Sequence, residues 1–208
     1  MRICNLYAGI GGNRKLWTGV EVTAVEKNPR IAEIYSHYYP DDTVIVGDAH
    51  QYLQDNYQGF DFIWSSPPCQ SHSSIRQNLS VRYHGAAAVY PDMKLWQEII
   101  FLRHNAQCLW VVENVRPYYK ALIDPSFYLQ RHPFWSNFYV PPGRFEKHHL
   151  RRAQIPELQK KYGFDLSGFK ISNKRQILRN CVCPDIGLHI LNAAMGIRIE
   201  EQLGLFSA

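Results

Sequence analysis

Short apolar runs recur along the first two-thirds of the chain, and each stops abruptly at a glycine turn, an acid or a proline pair. Residues 3–7 are apolar apart from Asn5 and lead into Ala8, Gly9, Ile10, Gly11 and Gly12. Residues 22–25 form a second run, closed by Glu26. Residues 44–46 form a third, closed by Gly47 and Asp48. Residues 60–66 form a fourth, leading into Pro67, Pro68 and Cys69, and residues 109–112 a fifth, closed by Glu113. Residues 134–140 predict a sixth or seventh strand. Between these runs the spacing changes. A helical stretch is expected at 13–17. Asn28 followed by Pro29 combines a capping side chain with proline at the first helical position, opening a helix that runs to about Tyr35. Within residues 92–107, Met93, Trp96, Ile99, Ile100 and Phe101 fall at largely helical spacing.

Strands alternating with helices predict an α/β fold with a mainly parallel sheet and helices on both faces. Ligands of such sheets bind at the carboxyl ends of the strands. Gly9, Glu26, Asp48, Cys69 and Glu113 all fall there, which outlines a single cleft. There are no internal repeats and no low-complexity segments.

Composition narrows the class. A chain of 208 residues with 46% hydrophobic and 20% charged residues is long enough for one well-cored domain and excludes a disordered chain. No apolar run approaches the ~20 residues of a membrane span, and the N-terminus lacks a signal peptide's charged start and apolar core, so a soluble, cytoplasmic protein is expected. The net charge of +5 is uneven. Residues 141–180 hold ten basic side chains against three acidic ones, which points to a polyanion partner or, more plainly, a solvated face. Five cysteines exclude a complete disulfide framework. Cys4 and Cys108 lie in strand-like runs. Cys181 and Cys183 lack the second pair that a zinc site usually wants, so no metal is expected.

The strand-end residues permit specific chemistry. The glycine turn lets backbone approach a ligand closely, although it is not the dinucleotide-binding fingerprint and also fits a plain tight turn. Glu26 is placed to accept both hydroxyls of a ribose, or to face a helix dipole. Asp48 is placed to accept from an adenine amino group, or to cap a helix. Two prolines hold Cys69 on a stiff loop, where a partly exposed thiol can serve as a nucleophile. Residues 70–91 lack strong periodicity, and so long an irregular stretch is usually a lid or binding loop. Glu113 ends an apolar run, where partial desolvation suits acid catalysis; a buried ion pair is the alternative.

In order along the chain stand residues 7–12, Glu26, Gly47 with Asp48, the run Pro67, Pro68, Cys69 and Gln70, the run Glu113, Asn114 and Val115, and residues 180–184. Together they resemble the DNA cytosine-5 methyltransferase family across residues 2–195. The stretch 131–138 and the short length look like its compact bacteriophage-type members. The resemblance implies a Rossmann-like S-adenosylmethionine-dependent methyltransferase fold. It implies that Tyr7, Ala8, Gly9, Ile10, Gly11 and Gly12 hold the methionine part of the cofactor, Glu26 its ribose and Asp48 its adenine. Lys27, Ala49 and Pro67 border the same pocket, and Asn180 and Val182 return to close it. It further implies that Cys69 attacks C6 of a cytosine flipped out of double-stranded DNA, with Glu113 acting at N3. Gln70, Ser71, His72, Arg76 and Arg82 of the closing loop, with Arg151, Arg152, Lys174 and Arg175, are the implied DNA contacts.

The sequence departs from the family pattern in three places. Only Gln130, Arg131 and His132 stand where the family carries two spaced arginines, and Arg131 is the candidate for contacting the base or the catalytic loop. Arg179 precedes Asn180 where glycine is usual. Most of all, only about 35 residues separate Pro142 from Asn180, where the family places a recognition domain. The expected plan is a catalytic core at 1–140, a minimal basic recognition arm at 141–179, and a C-terminal segment at 180–208 returning to the cofactor. A short or relaxed target of two to four base pairs follows. A tRNA cytosine methyltransferase, transfer of a modified one-carbon group and a catalytically silent DNA-binding partner are the rival readings; monomer and homodimer both remain open.

Overall fold

The computed structural model describes residues 1–146 and 153–197. Seven strands form one sheet: β1 (Arg2–Leu6), β2 (Glu21–Glu26), β3 (Thr43–Val46), β4 (Phe62–Ser65), β5 (Leu109–Glu113), β6 (Phe127–Leu129) and β7 (His132–Ser136). Their order is β3-β2-β1-β4-β5-β7-β6. The first five are parallel, while β7 runs antiparallel to both β5 and β6. The last strand is thus a hairpin, β6 and β7, where the pattern gave one longer run.

Both faces of the sheet are covered, as a parallel sheet requires. Strand residues alternate between two cores. Cys4, Leu6, Ile63, Trp110 and Val112 pack under helices α2 (Ala49–Asn56) and α3 (Lys94–Asn105). Ile3, Phe62, Trp64 and Val111 pack against α6 (Pro184–Ala194). A third cluster joins α1 (Pro29–Tyr38) to the short helices α4 (Ile155–Tyr162) and α5 (Lys174–Arg179).

Local chemistry sets the element ends. The Asn28 carboxamide accepts from the Arg30 and Ile31 amides, with Pro29 at the first helical position. Asp48 caps α2 in the same way. The helix expected at 13–17 is instead a run of turns. Arg14 leaves it to form a bidentate pair with Asp42, at 2.8 and 2.9 Å, and Gly187 of α6 packs so close to the Asn13 backbone that any Cβ there would clash. The stretch 70–91 also differs from expectation, since it contains a π-helical segment, Arg76–Val81.

The basic segment is not a free arm in its described part. Leu158 and Tyr162, one helical turn apart on α4, are buried with Phe164, Leu166 and Leu178 against Ala8, Ile10 and Ile34. Their burial folds residues 153–179 onto the domain as a layer beside the glycine turn.

Candidate active site

The strand order reverses between β1 and β4, and a crevice opens beyond their carboxyl ends. A cavity of about 530 Å³ occupies it. Glu26, Asp48, Cys69 and Glu113, from the ends of four parallel strands, all line it, and Gly9 closes the set.

The cofactor-side wall is densely bonded. One Glu26 oxygen accepts from the Gly9 amide at 3.0 Å and the other from the Asn28 amide at 2.8 Å. Glu26 lines the cavity, and each oxygen can accept a second hydrogen bond, so a diol can be received without breaking these bonds. One Asp48 oxygen takes the α2 amides of His50 and Gln51; the other takes the ammonium groups of Lys27 and Lys94 at 3.3 and 3.4 Å. Burial alone would raise the Asp48 carboxyl, but these donors pull it down to about 2. Gly9 has φ +57°, and nothing stands where its Cβ would be, so backbone meets the cavity directly. Tyr7, Ala8, Ile10, Gly12, Lys27, Ala49, Pro67, Asn180 and Val182 line the cavity. Gly11 does not. It faces inward with φ +82°, and a Cβ would lie 2.3 Å from the Tyr39 ring. Its role is to let the turn pass over α1.

Beneath this wall lies a carboxylate that the sequence reading missed. Glu98 of α3 is fully buried and accepts from Tyr7 Oη at 2.5 Å and from Ser65 Oγ at 2.6 Å, and pairs with His50 Nδ1 at 2.9 Å. It ties β1, β4 and α2 together. The hydrogen bond to Glu98 raises the His50 imidazole despite its burial. The available signal was its place among Leu95, Ile99 and Leu102 on the apolar face of α3, since an inward acid must be paired.

The opposite wall carries Cys69 and Glu113. Asn114 fixes the proline loop that carries Cys69, its Nδ2 donating to the Pro67 carbonyl at 2.9 Å. Cys69 is half-buried. Burial, then the nearby Glu113 charge, push its thiol up to about 11. Glu113 is buried and hydrogen-bonded to His132 Nδ1. The sheet register explains this contact: β7 runs antiparallel to β5 with Phe134 opposite Glu113, which brings the start of β7 to the end of β5. Arg131, the residue expected to reach the catalytic centre, lines the cavity but meets Glu113 only through His132, its Nε lying 3.5 Å from His132 Nε2.

The expected DNA contacts divide. Gln70 is exposed on the cavity rim. Arg82 is exposed on the stretch 70–91, and Arg76 donates to the Ala87 carbonyl within it. His72 is corrected: it is fully buried, hydrogen-bonded through Nδ1 to Tyr119 at 2.6 Å, and burial lowers its pKa. It anchors the stretch 70–91 from below and has no exposed surface to offer DNA. Ser71 is likewise a staple, accepting from the Asp92 amide. Lys174 donates to the Ser167 carbonyl and Arg175 to the Ala153 carbonyl, away from the cavity lining. Arg151 and Arg152 lie outside the described residues. Among the described residues no three His, Cys, Asp or Glu side chains gather as a metal site, and no helix is long and apolar enough to cross a membrane.

The donor set fits S-adenosylmethionine: a carboxylate with two free lone pairs, a second acidic group, an open glycine edge, and the apolar Ile31 and Val182 beside them. Comparisons with known proteins bear on the fold and the family. The Entamoeba histolytica methyltransferase EhMeth is 10% identical over 94% of this chain and 98% of its own, with a TM-score of 0.51, a likeness of fold. A Spodoptera frugiperda DNMT2 mutant is 23% identical over 58% of this chain and 37% of its own, with a TM-score of 0.38. A putative DNA modification methyltransferase from an E. coli prophage is 20% identical over 56% and 32%, also at 0.38. The chain thus spans about a third of the length of these last two. No curated protein matches it. Residues 1–121, from the glycine turn through Cys69 to the Glu113 strand end, match the family described as C-5 cytosine-specific DNA methylase. The match covers more than half of its residues, and the chain belongs to that family, whose methyl donor is S-adenosylmethionine.

Proposed function

We propose that the chain methylates C5 of a cytosine flipped out of double-stranded DNA. The observation that carries this reading is that Cys69 and Glu113 line the same cavity as Glu26 and Asp48. A nucleophile and an acid thereby face the place where a nucleoside-bearing methyl donor fits.

When bound, S-adenosylmethionine supplies an electrophilic methyl group. The chain's residues prepare the acceptor. A thiol raised to about 11 is almost wholly protonated at neutral pH, so Cys69 first gives its proton to solvent water, and the thiolate Sγ then bonds to C6 of the base. Glu113 delivers a proton to N3, which draws electrons through the ring and makes C6 open to attack. His132 Nδ1 holds one oxygen of the Glu113 carboxyl group in place, which leaves the other to carry the proton. Once C5 carries the methyl group, its proton passes to solvent water, the C5–H electron pair forms the C5–C6 double bond as the Sγ–C6 bond breaks, the thiolate is reprotonated from solvent, and the N3 proton returns to Glu113. In a duplex these ring atoms are shielded by stacking, so the base must leave the helix. The lid, with Arg76 and Arg82, closes over it. In the proposed plan, residues 1–140 are the catalytic core and the basic residues of 141–179 contribute phosphate contacts. So few residues leave little for reading base edges, so the target is two to four base pairs.

The test is product identity. The chain is incubated with S-adenosylmethionine and either duplex DNA or tRNA, and the digested nucleosides are weighed by mass spectrometry. Methylated deoxycytidine at C5 is expected from the duplex. Methylation confined to tRNA, or a product heavier than one methyl group, contradicts the proposal.

A further inference from the structure

We propose that the cleft continues past the reacting centre into a second subsite that holds the nucleotide next to the target cytosine, its base against Tyr128 and its phosphate against Arg116. This deepens the function proposed above and rests on that reading of the substrate as a polynucleotide.

A second cavity of about 520 Å³ shares Val115, Arg131 and His132 with the first. Val115, Arg131 and His132 therefore form the partition between the two spaces, with Glu113 behind it on the side of the first. A strand whose target base occupies the first space must pass its neighbouring nucleotide through the second.

The lining suits that occupant. Two guanidinium groups, Arg116 and Arg131, border it, and among the described residues no carboxylate does. Arg116 is exposed and has no ion pair among the described residues. Guanidinium groups bind phosphate through charge-assisted, often bidentate hydrogen bonds. Tyr128 lies on the edge strand β6. Its neighbour Phe127 stacks inward on Phe134, so alternation turns the Tyr128 ring outward, and it is 54% exposed. An exposed aromatic beside cations is a stacking platform for a nucleobase.

The hairpin that presents this ring is strained. Gln130 opens the two-residue turn between β6 and β7 with φ +53°, where glycine is the usual choice. Its side chain donates to the Glu146 carbonyl at 2.9 Å, which pins the hairpin tip. A strained and pinned turn at a cavity rim is a preorganised one. The opposite rim is fixed as well, by the bridge between Ser73 of the lid and Pro117. Because stacking tolerates every base, this subsite adds affinity without sequence choice.

The test is equilibrium binding of the full chain, with S-adenosylmethionine, to a duplex oligonucleotide carrying one target cytosine. Its backbone phosphates are replaced one at a time by neutral methylphosphonate. For the unaltered chain, one linkage beside the target should cost about tenfold in affinity. Arg116→Gln should bind about tenfold weaker and be indifferent to that same replacement. Tyr128→Ala should lose about fivefold whichever base stands there. Both side chains are exposed, so melting temperatures should hold. A phosphate penalty that persists in Arg116→Gln, or unchanged binding by Tyr128→Ala, overturns the subsite. A successful phosphate walk without methylated deoxycytidine faults the proposed reaction instead. Absence of polynucleotide binding faults both.

Discussion

The two walls of the cleft are built differently. On the cofactor side, Glu26, Asp48 and the Tyr7–Glu98 cluster are anchored by backbone amides and by one another. On the substrate side, Cys69 sits on a proline loop, Glu113 leans on a single imidazole, and the lid exposes Ile75, Tyr83, Val89 and Tyr90. A rigid wall suits a ligand that is the same at every turnover. A sparse wall suits a polymer that must enter, lose one base to the pocket and leave. The contrast teaches where substitutions should separate stability from rate.

The largest expected separation is at Glu113. Glu113→Gln keeps the size of the side chain and removes the proton donor, so kcat should fall by about 10² to 10⁴ with DNA affinity changing far less. Steady-state kinetics beside direct binding checks this; equal losses in both would make Glu113 a structural residue. Glu98 should behave in the opposite way. Glu98→Ala leaves the Tyr7 and Ser65 hydroxyls and His50 without their partner, and removing one member of a buried charged group costs about 3–5 kcal/mol. Chemical denaturation should show that loss, and a near-normal unfolding midpoint would dissolve the contrast between the walls.

Two smaller effects follow pH. The Cys69 thiolate fraction grows as pH rises toward about 11, so alkylation of Cys69 by iodoacetamide should quicken about tenfold per pH unit between 7 and 10. Glu113→Gln removes the secondary cause of the raised value and should speed alkylation at any one pH; a rate already flat at pH 8 would contradict the buried thiol. His72 has the smallest expected effect. Its folded pKa lies below the unfolded value of 6.5. Its stabilisation is therefore complete above that value and is lost as pH falls from 6.5 through the folded one. Stability measured at pH 7.5 and 5.5 should show a drop that His72→Gln diminishes.

The same contrast governs what could be read in advance. The strand ends on the cofactor side were legible because glycine, acid and proline stop apolar runs sharply, and Asn28 with Pro29 announced its helix. Asp48 reads as a helix cap only as the alternative to binding adenine, and the pattern does not predict α2 after it. Glu98 was not legible, because its partners come from three separate elements and no local pattern links them. His132 was hidden by the hairpin: only the antiparallel register of β7 sets it, rather than Arg131, against Glu113. His72 misled because a histidine in an irregular basic stretch resembles a DNA contact, while its burial depends on Tyr119 and Trp96 from elsewhere in the chain. The run at 13–17 had helical composition, but Arg14 and Gly187 hold it as turns through contacts that lie far along the sequence.

The covalent step is tested most directly with duplex DNA carrying 5-fluorocytosine at the target. Fluorine at C5 blocks the final proton loss, so Cys69 should stay bonded to C6 after methyl transfer. The account predicts a stable protein–DNA adduct that requires S-adenosylmethionine and disappears in Cys69→Ala. Its absence with the unaltered chain, or its persistence in Cys69→Ala, would contradict the assignment of Cys69 as the nucleophile.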